Sequence, residues 1–311
     1  MASRKIVITG AAGLVGQNLI PRLEQKNLGE LVAIDKHPTN TETLRRLHPN
    51  LRVVHADLAE PGAWQDEFAG CTHLMNGHAQ IGGLYPAEYV RNNITATERV
   101  LEAALRHKVS YVVNISSSVV NSMAVDHYTE TKKAQEKLVV DSGIQQVVLR
   151  PTLMFGWFDR KHVGWLARFM QRTPVFPIPG SGRYLRQPLF AGDFCDIIVR
   201  SLEQETTGAY NITGQERIDY IDLIRAVKQA TGSKTRIVRI PFRLFWLLLK
   251  ANALWDKDPA FTVKQLEALV TPDVFEVIDW PAIFGVRATS LQEAMNSTFR
   301  DPKYSNVVLD F

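Results

Sequence analysis

Tyr128 and Lys132 lie four residues apart at the start of a segment with helical patterning, HYTETKKAQEKLV, from position 127 to 139. Residues four apart on a helix share a face, so the Lys132 ammonium can lie near the Tyr128 hydroxyl. A nearby positive charge would lower the pKa of Tyr128 from its usual value of about 10, which suits proton transfer to or from a hydroxyl group. The same spacing also arises by chance, so the surrounding elements must decide whether the pair is catalytic.

Short apolar, β-branched runs alternate with longer helical patterns through the first half of the chain. This rhythm is typical of βαβ units and predicts an α/β fold with a doubly wound parallel sheet, the Rossmann arrangement. Most of the runs are continuous enough to be buried on both faces. Strands are predicted over 5–9, 30–35, 51–57, 73–76, 111–116 and 146–150.

The strongest local motif is TGAAGLVG, which follows the first predicted strand and opens a helix. Gly10 would permit the tight turn, Gly13 would let backbone N–H groups approach a pyrophosphate, and Gly16 would let the helix pack closely on the sheet. The motif therefore predicts a dinucleotide site. The residues assigned to the cofactor in this turn are Gly10, Gly13, Leu14, Val15 and Gly16.

The type of dinucleotide depends on Asp35, at the end of the second predicted strand. A carboxylate there can accept hydrogen bonds from the adenosine ribose and would repel a 2′-phosphate, which favours NAD over NADP. Lys36 and His37 follow directly and could accommodate that phosphate instead. NAD is the expected cofactor, with NADP as the alternative.

Composition excludes several classes of protein. The 311 residues are 45% hydrophobic and 22% charged, and the net charge of +4 comes from scattered Lys and Arg, which does not indicate a nucleic-acid surface. Cys71 and Cys195 have no Cys or His at ligand spacing, so buried reduced thiols and no metal site are expected. The opening MASRKIVITG lacks an apolar leader segment, so a cytoplasmic location is expected.

After Pro151 the pattern loosens, which predicts two interleaved parts: an NAD-binding core over 1–160 and a small, mainly helical substrate lobe over 161–311. One apolar stretch of the lobe, 242–255, is too short to span a membrane. It is expected to be a buried helix, with peripheral membrane contact or a lid over an apolar substrate as alternatives.

The glycine spacing and the order of these motifs resemble the extended branch of the short-chain dehydrogenase/reductases, the NAD-dependent epimerase/dehydratase family. The resemblance covers nearly the whole chain. It implies that Asp57 and Leu58, in HADL, lie at the adenine, and that Gly77 and Ala79 line the cofactor channel. The family's usual His-Leu-Ala is replaced here by NGHAQ, which displaces the His by one or two positions. Asn93 matches the family's Asn at the start of a long helix.

The resemblance also supplies a third partner for the opening pair. The family's catalytic Ser or Thr falls at Ser118, so Ser118, Tyr128 and Lys132 would form the catalytic site, with Ser118 holding the substrate oxygen. The segment LRPTLMFG matches the family's passage beneath the nicotinamide. The same resemblance assigns Ser116, Tyr128, Lys132 and Pro151 to the cofactor site.

Substrate signals come from the C-terminal half. GSGRYLRQPLFAGD resembles the family segment in which an Arg contacts the nucleotide of a sugar nucleotide, which places Arg186 there; pairing of Arg186 with Asp193 is the alternative. The family's diphosphate-clamping Arg-x-Gly-Asp is replaced by VTPDVFEVIDW. This half is more similar to the branch related to the accessory subunit of respiratory complex I.

Reaction type follows from the positions after Ser118. The family's 4,6-dehydratases place an Asp-Glu pair there, whereas this chain has Val119 and Val120, which cannot transfer a proton. The resemblance therefore implies an NAD-dependent oxidoreductase or epimerase acting at one carbon of a nucleotide-linked sugar. Alternatives are a hydroxysteroid-like dehydrogenase, an NADP-linked reductase of small carbonyls and a non-catalytic cofactor-binding protein.

A homodimer is also implied, because family members commonly pair through the helices after the fourth and fifth strands. The segment 134–139 would supply one of the two surfaces. The other would be a helix predicted over 86–107, with an apolar stripe of Val90, Ile94, Thr97, Leu101 and Ala104.

Overall fold

The computed structural model describes residues 4–123, 126–255, 262–271 and 275–310. The strands are short, and the first six lie near their predicted positions. The strands are β1 (Lys5–Thr9), β2 (Glu30–Asp35), β3 (Arg52–His55), β4 (His73–Asn76), β5 (Tyr111–Ile115), β6 (Gln145–Pro151), β7 (Met154–Phe155), β8 (Val175–Pro179), β9 (Leu185–Arg186), β10 (Leu189–Phe190), β11 (Gly208–Ile212), β12 (Ile218–Asp219) and β13 (Arg236–Ile240).

Helices connect and cover these strands. A π-helical turn, Val90–Thr95, joins two of them into one rod, and 3-10 turns cover Ala63–Phe68 and Ser118–Asn121. The α-helices are α1 (Leu14–Lys26), α2 (Pro38–Leu47), α3 (Pro86–Tyr89), α4 (Ala96–Arg106), α5 (His127–Asp141), α6 (Val163–Arg172), α7 (Ala191–Gln204), α8 (Tyr220–Thr231), α9 (Phe242–Trp255), α10 (Val263–Val270), α11 (Trp280–Phe284) and α12 (Leu291–Arg300).

The main sheet has seven parallel strands in the order β11-β6-β5-β4-β1-β2-β3. The predicted doubly wound Rossmann fold is confirmed. The strand order reverses between β1 and β4, and in such sheets ligands bind beyond the carboxyl ends of the strands at that point. The sequence did not predict β11, because GAYNI is an edge strand without the continuous apolar run of a buried one.

The C-terminal half contributes to both layers of the molecule. Strand β11 completes the main sheet, and α7 packs on α1 in the core beneath it. Helices α6, α8 and α12 enclose a second core with the β8–β13 pair, centred on Phe176, Ile224 and Met295. The division into an NAD-binding core over 1–160 and an interleaved substrate lobe over 161–311 stays a prediction.

The helical rod after β4 uses most of its apolar stripe within the chain. Thr97, Leu101 and Ala104 are buried beneath the sheet, whereas Val90 is 47% exposed. Leu105, outside the predicted stripe, is 52% exposed. The stripe therefore belongs mainly to the core, and the surface free for a partner differs from the predicted one.

Helix α9 does not have the buried environment expected of it. Leu244, Leu247 and Leu248 are 48%, 58% and 53% exposed, and Trp255 is 89% exposed. The prediction of a buried helix is wrong for this face, because its leucines and Trp255 remain accessible to solvent. Within the described ranges, no helix is long and apolar enough to cross a membrane.

Candidate active site

The glycine turn lies at the switch point of the sheet. Gly10 has φ +65°, and a Cβ there would lie 2.7 Å from the backbone of Gly77, so only glycine fits. A Cβ on Gly16 would lie 2.4 Å from the Ala11 carbonyl oxygen, which explains the close approach of α1. Helix α1 begins at Leu14 after Gly13, and no side chain caps its first N–H groups. These donors are therefore available to an anion.

Asp35 closes the turn from the end of β2. Its two oxygens accept hydrogen bonds from the backbone N–H of Ala12 and of His37, both at 2.9 Å. Lys36, the candidate ligand for a 2′-phosphate, donates instead to Asn92 Oδ1 at 2.7 Å, and its Nζ lies 3.9 Å from Asp57. The carboxylate thus stands beside the glycine turn, while the Lys36 side chain is engaged elsewhere.

Asp57 follows β3 and lies in a cluster of charges. Burial disfavours its carboxylate, but the hydrogen bond from Arg91 at 2.6 Å and that from the Ala59 N–H at 3.0 Å outweigh burial and lower the pKa of Asp57. Leu58 is buried in the core on this face of the sheet. The predicted adenine contacts are thus neighbours of Lys36, at the same edge of the sheet.

Tyr128 lies in the first turn of α5, which begins after Asp126. The Asp126 carboxylate accepts a hydrogen bond from the Thr129 N–H at 2.9 Å and so caps the helix. Burial raises the pKa of Tyr128, although a hydrogen bond with the Ser117 side chain acts to lower it. This direction is opposite to the expected one, which required the Lys132 ammonium beside the hydroxyl.

The hydroxyl that acts on the pKa of Tyr128 is that of Ser117, one position before the predicted Ser118, whose role stays a prediction. Strand β5 ends at Ile115, and Ser118 already opens the 3-10 turn, half-exposed. Ser117 is 9% exposed and caps that turn, accepting a hydrogen bond from the Val119 N–H at 3.4 Å. In a run of three serines, the match to the family's catalytic hydroxyl can shift by one position. The number of residues from the end of β5 is the signal that distinguishes Ser117 from Ser118.

Lys132 is turned into the protein. It is 2% exposed, and its ammonium donates to the Ile115 carbonyl at 2.9 Å and to Gln135 Oε1 at 2.5 Å. Burial lowers the pKa of Lys132 to about 7, although Glu136 acts in the opposite direction. The side chain is therefore near the balance between ammonium and amine at neutral pH.

Gln135 connects Lys132 to the cofactor turn through His78, a residue that the sequence analysis did not assign to the site. The Gln135 amide donates to the His78 carbonyl at 3.1 Å and to Thr97 Oγ1 at 3.0 Å. The His78 ring lies between Thr9 Oγ1 at 2.9 Å and Thr97 Oγ1 at 3.0 Å. Burial, with the charge of Lys132, lowers the pKa of His78 to about 3, so the ring is neutral.

Asn93 ties the loop after β4 to α5. Its Oδ1 accepts a hydrogen bond from the Gln80 N–H at 2.6 Å, and its amide donates to Thr131 Oγ1 at 3.0 Å. Gly77 donates its N–H to Thr9 Oγ1 at 3.1 Å, whereas Ala79 is exposed. The loop assigned to the cofactor channel is thus held to both the glycine turn and the Tyr128 helix.

Three predicted residues have side chains that are buried or hydrogen-bonded within the protein. Ser116 donates to Glu136 Oε2 at 2.5 Å, so its hydroxyl is bound within the protein. Pro151 is buried at the end of β6. Arg186 donates to the carbonyls of Leu269 and Thr271 at the end of α10 and stacks over Tyr184.

The alternative partner proposed for Arg186 is also engaged. The Asp193 carboxylate accepts hydrogen bonds from the backbone N–H of Thr289 at 3.0 Å and from its hydroxyl at 2.5 Å. Arg186 donates to the carbonyls of Leu185, Leu269 and Thr271, and its contact with a substrate nucleotide stays a prediction.

In the described part of the chain, no group of three or more Cys, His, Asp or Glu side chains could hold a metal ion. Cys71 and Cys195 are buried, as predicted, and burial raises their pKa values to about 11 and about 12. Thiols with such values stay protonated and unreactive at neutral pH.

Comparisons with known proteins agree with this geometry. A family model described as the NAD dependent epimerase/dehydratase family matches residues 6–213. The chain is 24% identical over 259 residues to a 4-hydroxy-2-methyl-3-oxo-4-farnesyl-3,4-dihydroquinoline-1-oxide ketoreductase of Stigmatella aurantiaca, with 76% of each chain covered. It is 25% identical over 303 residues to an uncharacterised UDP-glucose epimerase of Bacillus subtilis, covering 84% of this chain and 94% of that one.

A solved structure shares the fold across nearly the whole chain. The UDP-glucuronic acid 4-epimerase from Bacillus cereus, solved in complex with NAD, aligns with a TM-score of 0.69 at 21% identity and with 94% of each chain covered. At this identity the likeness shows the fold alone.

Proposed function

Because the chain belongs to the NAD-dependent epimerase/dehydratase family, we propose that it binds NAD and oxidises or reduces one carbon of a nucleotide-linked sugar, as a 4-epimerase or a keto-sugar reductase. The observation that carries the proposal is a continuous path of contacts from the glycine turn to the buried lysine. A Cβ on Gly10 would lie 2.8 Å from His78 Cα, the His78 carbonyl binds Gln135, and Gln135 binds Lys132. The path places the cofactor turn and the Tyr128 helix at one edge of the sheet.

The residues of the turn fit a dinucleotide. The uncapped N-terminus of α1 would hold the pyrophosphate, and Asp35 would accept hydrogen bonds from the ribose. NAD is favoured over NADP, since Asp35 would repel a 2′-phosphate and Lys36 is occupied by Asn92. Bound NAD would supply the hydride acceptor and donor.

The remaining steps belong to side chains of the chain. Ser117 would hold the substrate oxygen, and Tyr128 would take or return the hydroxyl proton, because the two hydroxyls are hydrogen-bonded partners. Lys132, with a pKa of about 7, would exchange a proton with the site near neutral pH. Counted from Ser117, the next two positions are Ser118 and Val119, and neither carries a carboxylate. The proposed reaction is therefore oxidation or reduction of one carbon without loss of water.

The test has two arms. Incubation of the protein and NAD with a panel of UDP- and dTDP-sugars should change a configuration or the cofactor's oxidation state, without a 4-keto-6-deoxy product. The Tyr128→Phe variant should lose roughly 10²- to 10⁴-fold in turnover with nearly unchanged NAD affinity, because only proton transfer is removed. Robust formation of the 4-keto-6-deoxy sugar, or full activity of the variant, would contradict the proposal.

A second candidate function is reduction of an apolar carbonyl compound. Exposed apolar side chains follow the carboxyl ends of β4, β5 and β6, where a substrate would enter, and the segment 270–280 has no basic residue to clamp a diphosphate. A relative at 24% identity is a ketoreductase of a farnesylated compound. Oxidation of NADH by the protein with farnesylated ketones but not with sugar nucleotides would favour this candidate. The side chains are Ile81, Leu84, Tyr85, Met123 and Leu153.

One further feature, a homodimer, is proposed. A homodimer would use the exposed apolar residues of α4 and α5, helices that contact each other in one chain. A cytoplasmic location and the similarity of the C-terminal half to the complex I accessory branch stay predictions from the sequence.

A further inference from the structure

Helix α9 carries an apolar stripe on its outer face. Leu244, Leu247, Leu248 and Ala251 follow one another at helical spacing, and Trp255 continues the same line one turn later. All five are exposed, Trp255 by 89% and Leu247 by 58%. Isolated exposed leucines are ordinary, but a continuous line of them marks an interaction surface.

Basic residues flank this stripe, and the nearest acidic residues downstream are Asp256 and Asp258, just past its end. The 22 residues from 234 to 255 contain five cations and no Asp or Glu, although the whole chain has 36 Lys and Arg against 32 Asp and Glu. All five are exposed. The cations are Lys234, Arg236, Arg239, Arg243 and Lys250.

Two of the cations lie on α9 itself. Arg243 and Lys250 are seven residues apart, so both lie on the same flank of the stripe. The Lys250 ammonium lies 3.9 Å from the centre of the Trp246 ring, a cation–π contact that holds the charge at the border of the apolar line. Leucines along one face, with cations beside them and a Trp at the end, are the features of a helix that lies in a membrane interface.

We propose that α9 docks the protein on an anionic phospholipid surface, lying in the plane of the headgroups. A span is excluded, because the 14-residue helix is about 21 Å long and a bilayer core is about 30 Å thick. A second copy of the chain is a poorer occupant, since two such faces would bring their cations together with no carboxylate in either segment to offset them. Negatively charged headgroups complement the cations of the flank, and the acyl chains beneath them accommodate the apolar stripe.

The experiment is flotation of the full-length protein with vesicles, first of phosphatidylcholine alone and then of phosphatidylcholine mixed with phosphatidylglycerol. Binding is expected to the mixed vesicles and to be far weaker on the neutral ones. It should fall at about 1 M salt, where charges are screened beyond about 3 Å. Absence of binding to mixed vesicles, or equal binding to both kinds, would overturn the proposal.

Two pairs of variants assign the binding to α9. Leu247→Glu with Leu248→Glu should lower the partition coefficient on mixed vesicles by at least about tenfold. The control Ile283→Glu changes a side chain on α11 that is 43% exposed, and it should leave the partition coefficient unchanged. Arg243→Gln with Lys250→Gln should lower it by about 30-fold, at about tenfold per 1.4 kcal/mol and about 1 kcal/mol for each cation. The control Arg46→Gln with Lys108→Gln removes the same charge from exposed positions outside α9 and should leave the partition coefficient unchanged.

Unchanged circular dichroism of each variant keeps the comparison free of folding effects. Binding that survives the double leucine replacement would contradict the proposal. So would a self-association of the wild type that the same replacement abolishes together with flotation, because the stripe would then be a surface between copies.

Discussion

Ser117 and Ser118 differ in one contact that decides their predicted roles. Ser117 is hydrogen-bonded to Tyr128, whereas Ser118 is half-exposed on the following turn. We predict that Ser117→Ala lowers kcat by roughly 10- to 1,000-fold, because the substrate oxygen loses a hydrogen-bond partner in the transition state. Steady-state kinetics with the best substrate of the sugar panel measures it.

Ser118→Ala is the matched control for this prediction. It removes the same group one residue along and should change kcat by less than about twofold, with KM unchanged. A large loss in Ser118→Ala together with an active Ser117→Ala would restore the assignment made from the sequence.

Lys132 should make stability depend on pH in a way that can be isolated. Burial lowers the pKa of Lys132 to about 7 from its ordinary value of 10.5, so between these pH values the unfolded chain binds more protons than the folded one. Stability from this group therefore rises with pH through that window. The Lys132→Met variant lacks this contribution. From pH 7 to 9, the free energy of unfolding of the wild type should therefore increase relative to that of the variant.

Urea unfolding at several pH values measures the difference in free energy of unfolding between the wild type and Lys132→Met. Lys133→Met is the control, because Lys133 is the neighbouring lysine and forms an exposed pair with Glu130; its curve should run parallel to that of the wild type. Parallel curves for Lys132→Met as well would show that Lys132 is not held as a buried near-neutral group.

At the scale of elements, the contact between α1 and the glycine turn is the least tolerant in the cofactor site. A Cβ on Gly16 would meet the backbone of Ala11 at 2.4 Å, and backbone cannot move aside as a flexible side chain does. Gly16→Ala should therefore cost about 1–3 kcal/mol of stability and weaken NAD binding, because α1 must shift away from the turn. Thermal unfolding with and without NAD measures both effects.

Gly82→Ala is the control for this replacement. A Cβ there meets nothing within 4 Å, so the variant should keep both its stability and its NAD affinity. If Gly16→Ala bound NAD as well as the wild type, helix α1 would not be positioning the turn for the cofactor.

At the scale of the whole molecule, α4 and α5 form the surface on which a second copy would pack. Leu105 is 52% exposed on α4, and Val140 is 50% exposed on α5. We predict that the protein is a homodimer at micromolar concentration and that Leu105→Glu with Val140→Glu weakens it at least tenfold, because two charges would be buried at the interface. Sedimentation equilibrium measures the mass, and Ile283→Glu is again the control.

A wild-type protein of monomer mass would contradict this prediction directly. A dimer unaffected by the paired replacement would place the interface elsewhere on the surface.

The sequence by itself determined the parts of the molecule that depend on local patterns. The runs of β-branched residues identified the strands from β1 to β6, and TGAAGLVG identified the turn between β1 and α1. Such features need only neighbours in the chain: a buried strand requires consecutive apolar residues, and a turn at positive φ requires glycine. The family resemblance, which the matching family model confirms, depends on these same local motifs.

Only the tertiary structure decided which side chains meet. The contact of Ser117 with Tyr128 depends on where β5 ends relative to α5, and the contacts of the His78 ring depend on Thr9 and Thr97, each 19 or more positions away. The exposed face of α9 also has no local signature, because a run of leucines is apolar whether or not other elements cover it. Partners distant in the chain determine these outcomes, and residue spacing does not specify which of them will be in reach.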